Sequence, residues 1–373
     1  MMSEEIENLG AESEKILPSE AAKVESETYK CPSCGNFLKF DPAAQKLKCE
    51  YCGTERDIEP KPAQELFYTA LSEQGYSEWG AVKSYKCPEC GAMTLLEKYE
   101  TTTVCPFCGA PNILERDELP GLKPNAVLPF KVPQEEAKTC FRKWLKKKWL
   151  APFALKKEAK ITKMRGVYIP IWTFDSNVSA NYEARLGKTY TTTVGSGKNR
   201  RTVTRVRWFN VSGSIGSSYN DIQVEASQYI DPSALRKMSG FDTVNAVGYD
   251  DDYLAGFSAE RYSLGLDSGW ESAQQTIVSD LNRQIRARYP QADRVDYINV
   301  YPIYSGTTYK YVLSPVWVNS YRYRKKMYGC VVNGRNGNSV GKAPVSPVKA
   351  SLLGIVIAAA VAAIGYLIYL YMF

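Results

Sequence analysis

Eight of the ten cysteines in this 373-residue chain form two groups of four with the same spacing. The first group is Cys31, Cys34, Cys49 and Cys52, and the second is Cys87, Cys90, Cys105 and Cys108. Both groups read C-x2-C-x14-C-x2-C, and a glycine follows each C-x2-C pair. Two cysteines at this spacing can direct both sulfurs at one ion, and four thiolates at about 2.3 Å satisfy tetrahedral Zn²⁺. The gap between the pairs fits a β-hairpin, so we predict two zinc ribbons.

Two alternatives to zinc stay open for these groups. Disulfide bonds are favoured in secreted chains, and four cysteines can also hold an iron–sulfur cluster. A reducing cytosol favours a metal over disulfides. Because cysteine fills all four positions, neither site would keep an open coordination position. We therefore predict two zinc ions that are structural rather than catalytic.

The chain contains no histidine, which excludes histidine-based acid–base catalysis, nucleophilic relays and metal ligation. We predict no catalytic residue and no cofactor-binding residue. For the two remaining cysteines, Cys140 and Cys330, the expectation is a buried apolar position. The adjacent acids Asp250, Asp251 and Asp252 lack the spacing of a calcium-binding loop, so we predict a solvated turn.

The two ends of the chain differ from the middle. Residues 352–373 form an uncharged apolar run, which as a helix is about 33 Å long, about the thickness of a bilayer core. A buried core helix is the alternative, but globular helices this long and uncharged are rare. Lys342 and Lys349 precede the run, and basic residues flank the cytoplasmic side of a span. We predict a single-pass cell-membrane protein with a C-terminal anchor and a cytoplasmic body. Residues 1–27, rich in Glu, predict an acidic disordered tail.

The predicted fold class is α+β, with two small β zinc ribbons, a body rich in antiparallel sheet and one C-terminal transmembrane helix. The predicted boundaries are 28–58 for the first ribbon, 59–84 for a linker, 85–118 for the second ribbon, 119–343 for the body and 344–351 for a second linker. Within the body we predict a strand over Val127–Val132, a helix from Pro133 to Leu150, a hairpin of Tyr182–Val194 and Val203–Ser214, a helix over Trp270–Tyr289 with Asp267 or Ser268 near its cap, and strands over Tyr297–Tyr304, Tyr309–Tyr323 and Lys326–Val332.

The first predicted helix of the body has one apolar face and a basic remainder. The apolar positions are Phe141, Trp144, Leu145 and Trp149, and the basic positions are Lys138, Arg142, Lys143, Lys146 and Lys147. A solvated basic face over a packed aromatic stripe explains this pattern. Contact with anionic lipid headgroups also explains it, since each basic side chain near such a surface gains about 1 kcal/mol. Both interpretations can hold together.

The charge of the chain, +7 overall, is unevenly distributed. Acidic residues exceed basic ones up to residue 122, whereas residues 123–373 hold 35 Lys and Arg against 18 Asp and Glu. Nucleic-acid binding by the ribbons needs clustered positive charge, which residues 28–122 lack. We therefore expect membrane lipid and proteins as partners, and we expect nucleic acid not to be one.

Several short motifs, in their order along the chain, resemble one bacterial family. They are the tandem ribbons, VLPFKV at 127–132, FRKWL at 141–145, GVYIPIW at 166–172, LSPVW at 313–317, NGRNGNSVGKAP at 333–344 and the terminal apolar run. The chain is similar to bacterial TFIIB-type zinc-ribbon membrane proteins of the YdjG type over nearly everything after residue 28. The resemblance implies a zinc-binding membrane protein associated with PspA-like and SPFH-type envelope proteins, and it supplies no catalytic residue.

The expected function is a non-enzymatic membrane adaptor or scaffold in an envelope-stress or membrane-maintenance assembly. The first alternative is a nucleic-acid-binding ribbon protein tethered to the membrane. The second is a membrane-anchored enzyme with a carboxylate-based site, which two convergent acids in a polar pocket of the body would favour.

Overall fold

Two apolar runs of the sequence, VYIPIW and VLSPVW, pair with each other at the centre of the fold. The computed structural model describes residues 30–68, 84–95, 105–107, 110, 114–116, 122–152, 155, 164–227, 230, 238, 240–323 and 326–372. In it Val167 lies opposite Val316 and Ile171 lies opposite Val312 in antiparallel register. The acidic tail predicted over 1–27 lies outside the described residues.

Strands and three α-helices of the described residues make an α+β fold, as predicted. The strands are β1 (Leu38–Asp41), β2 (Lys46–Cys49), β3 (Glu55–Arg56), β4 (Leu66–Phe67), β5 (Ser84–Lys86), β6 (Met93–Leu95), β7 (Leu114–Arg116), β8 (Ala126–Val127), β9 (Arg165–Val194), β10 (Arg201–Glu225), β11 (Val247–Gly248), β12 (Ser258–Glu260), β13 (Arg294–Tyr323), β14 (Lys326–Asn333) and β15 (Ser339–Gly341). The helices are α1 (Gln134–Lys147), α2 (Leu266–Arg288) and α3 (Pro347–Met372).

The main sheet is built around β9 and β13. Its path is β11-β8-β13-β9-β12-β6-β5-β7, with β10 added to β9, and with β4 and β14 added to β13. Strands β1, β2 and β3 form a separate antiparallel sheet. The predicted linker 59–84 therefore contributes β4, which pairs with β13 at Thr308 and Tyr309.

Both faces of the central strands are buried, which explains why their sequences are continuously apolar rather than alternating. Side chains at odd positions of β9, such as Val167 and Ile169, pack in one hydrophobic cluster. Those at even positions, such as Tyr168 and Trp172, pack in a second cluster with the aromatic residues of the body. Successive side chains of a strand point to opposite faces, so the two clusters lie on opposite sides of the sheet.

Beyond the core, the same strands continue as a three-stranded extension. We call the part formed by residues 178–194, 201–217 and 294–304 the arm. Its hairpin closes between Val194 and Arg201, and its strands run for about 55 Å at 3.3 Å per residue. Helix α2 covers one face of the arm with Ile277, Leu281 and Ile285, which are fully buried.

The structure corrects several predicted boundaries. The first two strands expected after α2, Tyr297–Tyr304 and Tyr309–Tyr323, are one strand, because β13 runs through Gly306 and Thr308 with a register shift. Helix α2 begins at Leu266 instead of Trp270, so Asp267 and Ser268, expected near its cap, lie in its first turn, and the N-cap residue Gly265 makes no side-chain hydrogen bond. The strand expected over Val127–Val132 is reduced to Ala126–Val127.

The first helix also departs from its prediction at its C-terminal end. Helix α1 ends at Lys147 instead of Leu150. As a result Trp149, expected on the buried apolar face, follows the helix and is 59% exposed. The other three members of that face, Phe141, Trp144 and Leu145, are buried as predicted.

Candidate metal centres

The first cysteine group is brought together at one point. The sulfur atoms of Cys31, Cys34, Cys49 and Cys52 all lie within 4.8 Å of one another. Cys31 and Cys49 are buried, whereas Cys34 and Cys52 are exposed. Strands β1 and β2 form the hairpin between the two pairs, as the spacing predicts, and Cys49 is the last residue of β2.

The three cysteine pairs whose following glycine is described share one backbone turn. The N–H of Gly35 donates to the carbonyl of Cys31, that of Gly53 to Cys49 and that of Gly91 to Cys87, at 2.8–2.9 Å. These three glycines have φ of 74°, 78° and 77°. Residues with a side chain rarely adopt this left-handed conformation, so the turn explains the glycine at these three positions.

The sulfur positions fit a tetrahedral metal ion. The Sγ–Sγ distance is 3.4 Å between Cys31 and Cys52 and 3.5 Å between Cys34 and Cys49. Four sulfurs at 2.3 Å from one Zn²⁺ would be about 3.8 Å apart, whereas a disulfide bond is about 2.05 Å long. Among the cysteines that the structure describes, none is joined in a disulfide. The site can therefore hold a metal ion.

Electrostatics also favour a cation here. Burial opposes ionisation of Cys31, but hydrogen bonds from the backbone N–H groups of Ser33 and Cys34 outweigh it and lower the pKa of its thiol to about 6. The Asn36 N–H favours the thiolate of Cys34, but partial burial and the neighbouring sulfurs outweigh it and raise the pKa of Cys34 to about 12. One thiol thus ionises easily and its neighbour does not. A divalent cation would allow all four to ionise.

A hydroxyl group supports the fourth ligand. The Thr54 hydroxyl oxygen lies 3.2 Å from the sulfur of Cys52 and 3.0 Å from Ser33 Oγ. Hydrogen bonds from the Thr54 hydroxyl and N–H lower the pKa of the Cys52 thiol. Partners of this kind orient metal ligands, and the spacing of the cysteines did not reveal this one.

The first centre is docked onto the main body mainly through side chains, with one backbone hydrogen bond from the N–H of Phe40 to the carbonyl of Ala255 at 2.9 Å. Phe40 of β1 contacts the rings of Tyr253 and Phe257, with centroids at 5.5 and 6.4 Å. Arg56 of β3 forms an ion pair with Asp252 at 2.8 Å. Lys61 forms one with Asp250 at 3.1 Å.

These contacts correct the prediction of a solvated turn at Asp250–Asp252. The run forms a short 3-10 helix over Asp251–Leu254, and the side chain of Asp250 accepts from the N–H of Asp252. Asp252 therefore ties the first centre to the body and Asp250 ties the segment that follows that centre, whereas Asp251 is exposed and accepts from the Tyr249 hydroxyl.

The second cysteine group is brought together in the same way within the described residues. The sulfurs of Cys87, Cys90 and Cys105 lie within 4.8 Å of one another, and those of Cys90 and Cys105 are 3.7 Å apart. Cys108, the fourth predicted ligand, lies outside the described residues. Cys87 and Cys105 each donate an N–H bond to the carbonyl five residues on, at 2.8 Å, as Cys31 and Cys49 do.

The second centre is continuous with the main sheet. Strand β6 pairs with β12, placing Leu95 opposite Ala259 and Thr94 opposite Glu260. Cys87 and Cys105 are buried in the cluster that contains Val167 and Ile169, on the face of the sheet opposite to the one that the first centre contacts. The two centres therefore cover the two sides of one sheet.

A buried carboxylate–lysine cluster was not foreseen. Lys310, 8% exposed, forms ion pairs with Asp221 at 2.9 Å and with Glu65 at 3.0 Å. Asp175 accepts from the N–H of Asp221 at 2.7 Å. Asp221 has φ of 52° and lies where the register of β10 shifts. Because Glu65 precedes β4, the cluster fixes the segment between the two centres to the sheet.

A polar cleft of about 920 Å³ lies between α2 and β10, and Glu225 and Asp280 are among its lining residues. Asp280 accepts hydrogen bonds from Gln284, at 2.7 Å, and from the hydroxyl of Tyr219, at 3.0 Å. Hydrogen bonds from Gln284 and Arg283 lower the pKa of Asp280. An ionised carboxylate that is already bound by these donors is a poor general acid or base.

The two cysteines outside the groups occupy different positions. Cys330 is fully buried in β14, as predicted, and burial raises the pKa of its thiol. Cys140 is half-buried on α1, and its sulfur faces Gly337, where an added Cβ would come within 2.9 Å of it.

One helix in the described residues is long and apolar enough to cross a membrane. It spans Pro347–Tyr371 with a mean hydropathy of 2.4, and none of its apolar window is buried against the protein. It begins within the predicted linker 344–351, five residues before the apolar run at 352. The N–H of Ser346 and the ammonium of Lys349 hold its start against Leu150 and Trp149, at 2.9 Å each.

Comparison with known proteins gives one informative similarity. The chain is 30% identical over 320 residues to the uncharacterized protein YdjG of Bacillus subtilis strain 168, and the alignment covers 86% of this chain and 90% of that protein. No family model matches the chain, and no solved structure matches it. The similarity therefore extends over most of both chains.

Proposed function

We propose that this chain, which belongs to the YdjG family, is a zinc-binding, single-pass membrane adaptor with a cytoplasmic body. Two closed sulfur sites would hold zinc ions that stabilise the fold, since four cysteines leave no open coordination position. Helix α3 would anchor the chain in the cell membrane, and Lys342 and Lys349 at its start favour a cytoplasmic location for the preceding residues. The role is non-enzymatic.

The exposed face of the arm is the observation that carries the adaptor role. Helix α2 covers one face, and the other bears Trp208, Tyr297, Tyr301 and Ile303, which are 40%, 41%, 55% and 68% exposed. The register places Tyr301 opposite Asn181 and Tyr297 opposite Arg185, so these side chains lie on the face away from the buried Tyr182. A row of exposed apolar side chains on a rigid element is typical of a protein-binding surface.

The test is photo-crosslinking from native membranes. A photoreactive residue at Tyr301 should yield protein adducts, whereas one at Glu271, exposed on α2, should not. The resemblance to envelope-associated proteins supports PspA-like or SPFH-type partners, which mass spectrometry would identify. Recovery of the chain without any adduct at Tyr301 would contradict the adaptor role. Nuclease-sensitive adducts would favour the nucleic-acid alternative instead.

A second part of this experiment tests the role of the second centre. The same crosslinking with Cys87→Ser asks whether metal binding supports partner recruitment. We expect fewer adducts at Tyr301, because the second centre is joined through β12 to β9, the strand that continues into the arm. An unchanged yield would separate the metal from the adaptor role.

A further inference from the structure

The start of α3 is tied to the C-terminal end of α1. The ammonium of Lys349 donates to the carbonyl of Trp149 at 2.9 Å and to that of Ala151 at 2.7 Å. The N–H of Ser346 donates to the carbonyl of Leu150 at 2.9 Å. Lys349 is also the last charged residue of the chain. If α3 spans a bilayer, its headgroup zone is therefore at the level of the segment 149–151.

The residues beside this junction are basic and exposed. Lys146, Lys147 and Lys148 are exposed, and so is Trp149, which is 59% exposed. We call these four residues the collar. The ammonium of Lys148 lies 5.2 Å from the ring centre of Trp144, which is buried with Phe141 against the body. The collar is thus held on a packed helix and is not a loose chain segment.

We propose that the collar binds the headgroups of anionic phospholipids in the membrane that α3 spans. An exposed indole suits the boundary between headgroups and acyl chains, and lysines beside it attract anionic lipid. The proposal rests on the proposed membrane anchoring. It differs from lipid contact along the whole basic face of α1, because Lys138, near the start of the helix, is paired with Glu135 at 2.5 Å.

A second basic surface supplies a control. Residues 187–208, at the tip of the arm, hold six Lys and Arg and no acid. The start of β9 lies near α1. Trp317, which is opposite Gly166 of β9 in the sheet, donates to the carbonyl of Val132, just before α1, at 2.8 Å. From Gly166 to the end of β9 at Val194 the strand is about 90 Å long. The tip therefore lies far along β9 from the collar, which predicts that the charges of the tip do not contribute to lipid contact at the collar.

The test uses the full chain reconstituted into vesicles of phosphatidylcholine alone or with added phosphatidylglycerol. Spin-labelled headgroups quench nearby tryptophans, and the difference between the wild type and Trp149→Phe reports Trp149. We expect quenching of Trp149 in the anionic vesicles, screened by salt. The variant Lys146→Gln/Lys147→Gln/Lys148→Gln should lower it to the level in neutral vesicles. The matched variant Arg200→Gln/Arg201→Gln/Arg205→Gln should leave it unchanged.

Three outcomes would overturn the proposal. These are equal quenching in neutral and anionic vesicles, no effect of the lysine substitutions, or an equal effect of the arginine substitutions. Flotation separates this failure from that of the proposed function: a chain that floats with vesicles but shows no quenching contradicts the collar alone. A chain that does not float contradicts the membrane anchoring and the collar together. The metal content of each variant, which should equal that of the wild type, shows that it is folded.

Discussion

The two metal centres share a local structure but join the rest of the molecule differently. The first closes its own sheet of β1–β3 and contacts the body through side chains such as Phe40 and Arg56 and through one backbone hydrogen bond, without pairing a strand with the main sheet. The second has β6 in the backbone ladder of the main sheet through β12. One centre is thus a docked module and the other is part of the sheet. The comparison teaches that the same metal site can stabilise a module or a whole fold, depending on which hydrogen bonds surround it.

The largest expected difference comes from removing one ligand in each centre. Cys31→Ser and Cys87→Ser should each lose one metal ion. Loss of the second ion should lower the free energy of unfolding of the main sheet by about 3 kcal/mol or more, because β6 lies in its ladder. Loss of the first ion should change the unfolding transition of the main sheet less, so that it stays nearer to that of the wild type.

Thermal denaturation with metal analysis checks this pair. Cys140→Ser, outside both groups, is the matched control and should keep two ions. Equal effects of Cys31→Ser and Cys87→Ser on the main transition would contradict the distinction between the centres.

The next effect concerns the docking of the first centre. Phe40→Ala removes a buried ring that contacts Tyr253 and Phe257 and should cost about 3 kcal/mol. Hydrogen exchange of β1–β3 should become faster while β9 and β13 stay protected. Phe37→Ala, in which the ring is 50% exposed, should be nearly neutral. Faster exchange throughout the main sheet would show that the first centre is not a separate module.

The turn after each cysteine pair should behave alike in the two centres. Gly53→Ala and Gly91→Ala force a side chain into a left-handed backbone and should each cost about 1–2 kcal/mol. Space is not the cause, since an added Cβ would meet nothing within 4 Å at either position. Gly329→Ala, equally open but without positive φ, is the control. Denaturant titration measures all three, and a neutral Gly91→Ala would contradict the shared turn.

Much of this site could be predicted because metal ligation needs a fixed spacing. The positions of Cys31 to Cys105 and the glycine turns follow from C-x2-C-G, and the hairpin β1–β2 follows from the gap between the pairs. The apolar length of the terminal run likewise indicated α3. Features of this kind depend on residues close together in the sequence, so the sequence alone is enough to predict them.

Long-range contacts could not be predicted, because the sequence does not show which elements meet. The sequence predicts a solvated turn at Asp250–Asp252, because it does not show that Arg56 and Lys61 form ion pairs with Asp252 and Asp250. Trp149 was assigned to the apolar face because the periodicity of α1 continues past Lys147, where the helix ends. The ion pair of Lys310 with Glu65 joins residues that are 245 positions apart.

The smallest expected effect is a pH dependence of the free energy of unfolding, caused by the carboxylate–lysine cluster that holds the segment between the two centres. Burial, together with the charge of Glu65, raises the pKa of Asp175 to about 6, from an ordinary value of 3.8. The folded state therefore takes up a proton before the unfolded state does. Between pH 7 and pH 4 this group should increase the free energy of unfolding by about 1 kcal/mol as the pH falls.

Burial opposes ionisation of Glu65, but Lys310 outweighs it and lowers the pKa of this carboxyl. The contribution of Glu65 to stability is therefore lost only when the pH falls below its ordinary pKa of 4.5. Asp175→Asn should abolish the increase between pH 7 and pH 4, as measured by denaturation across that range. A stability that falls steadily with pH in the wild type would show that Asp175 titrates normally.

The most direct test of two closed sulfur centres is native mass spectrometry of the full chain with element analysis. Two zinc ions per chain are predicted, with one retained in Cys31→Ser, in Cys87→Ser and in Cys108→Ser. A chain that carries iron, holds disulfides in place of metal, or keeps both ions after Cys108→Ser would contradict it.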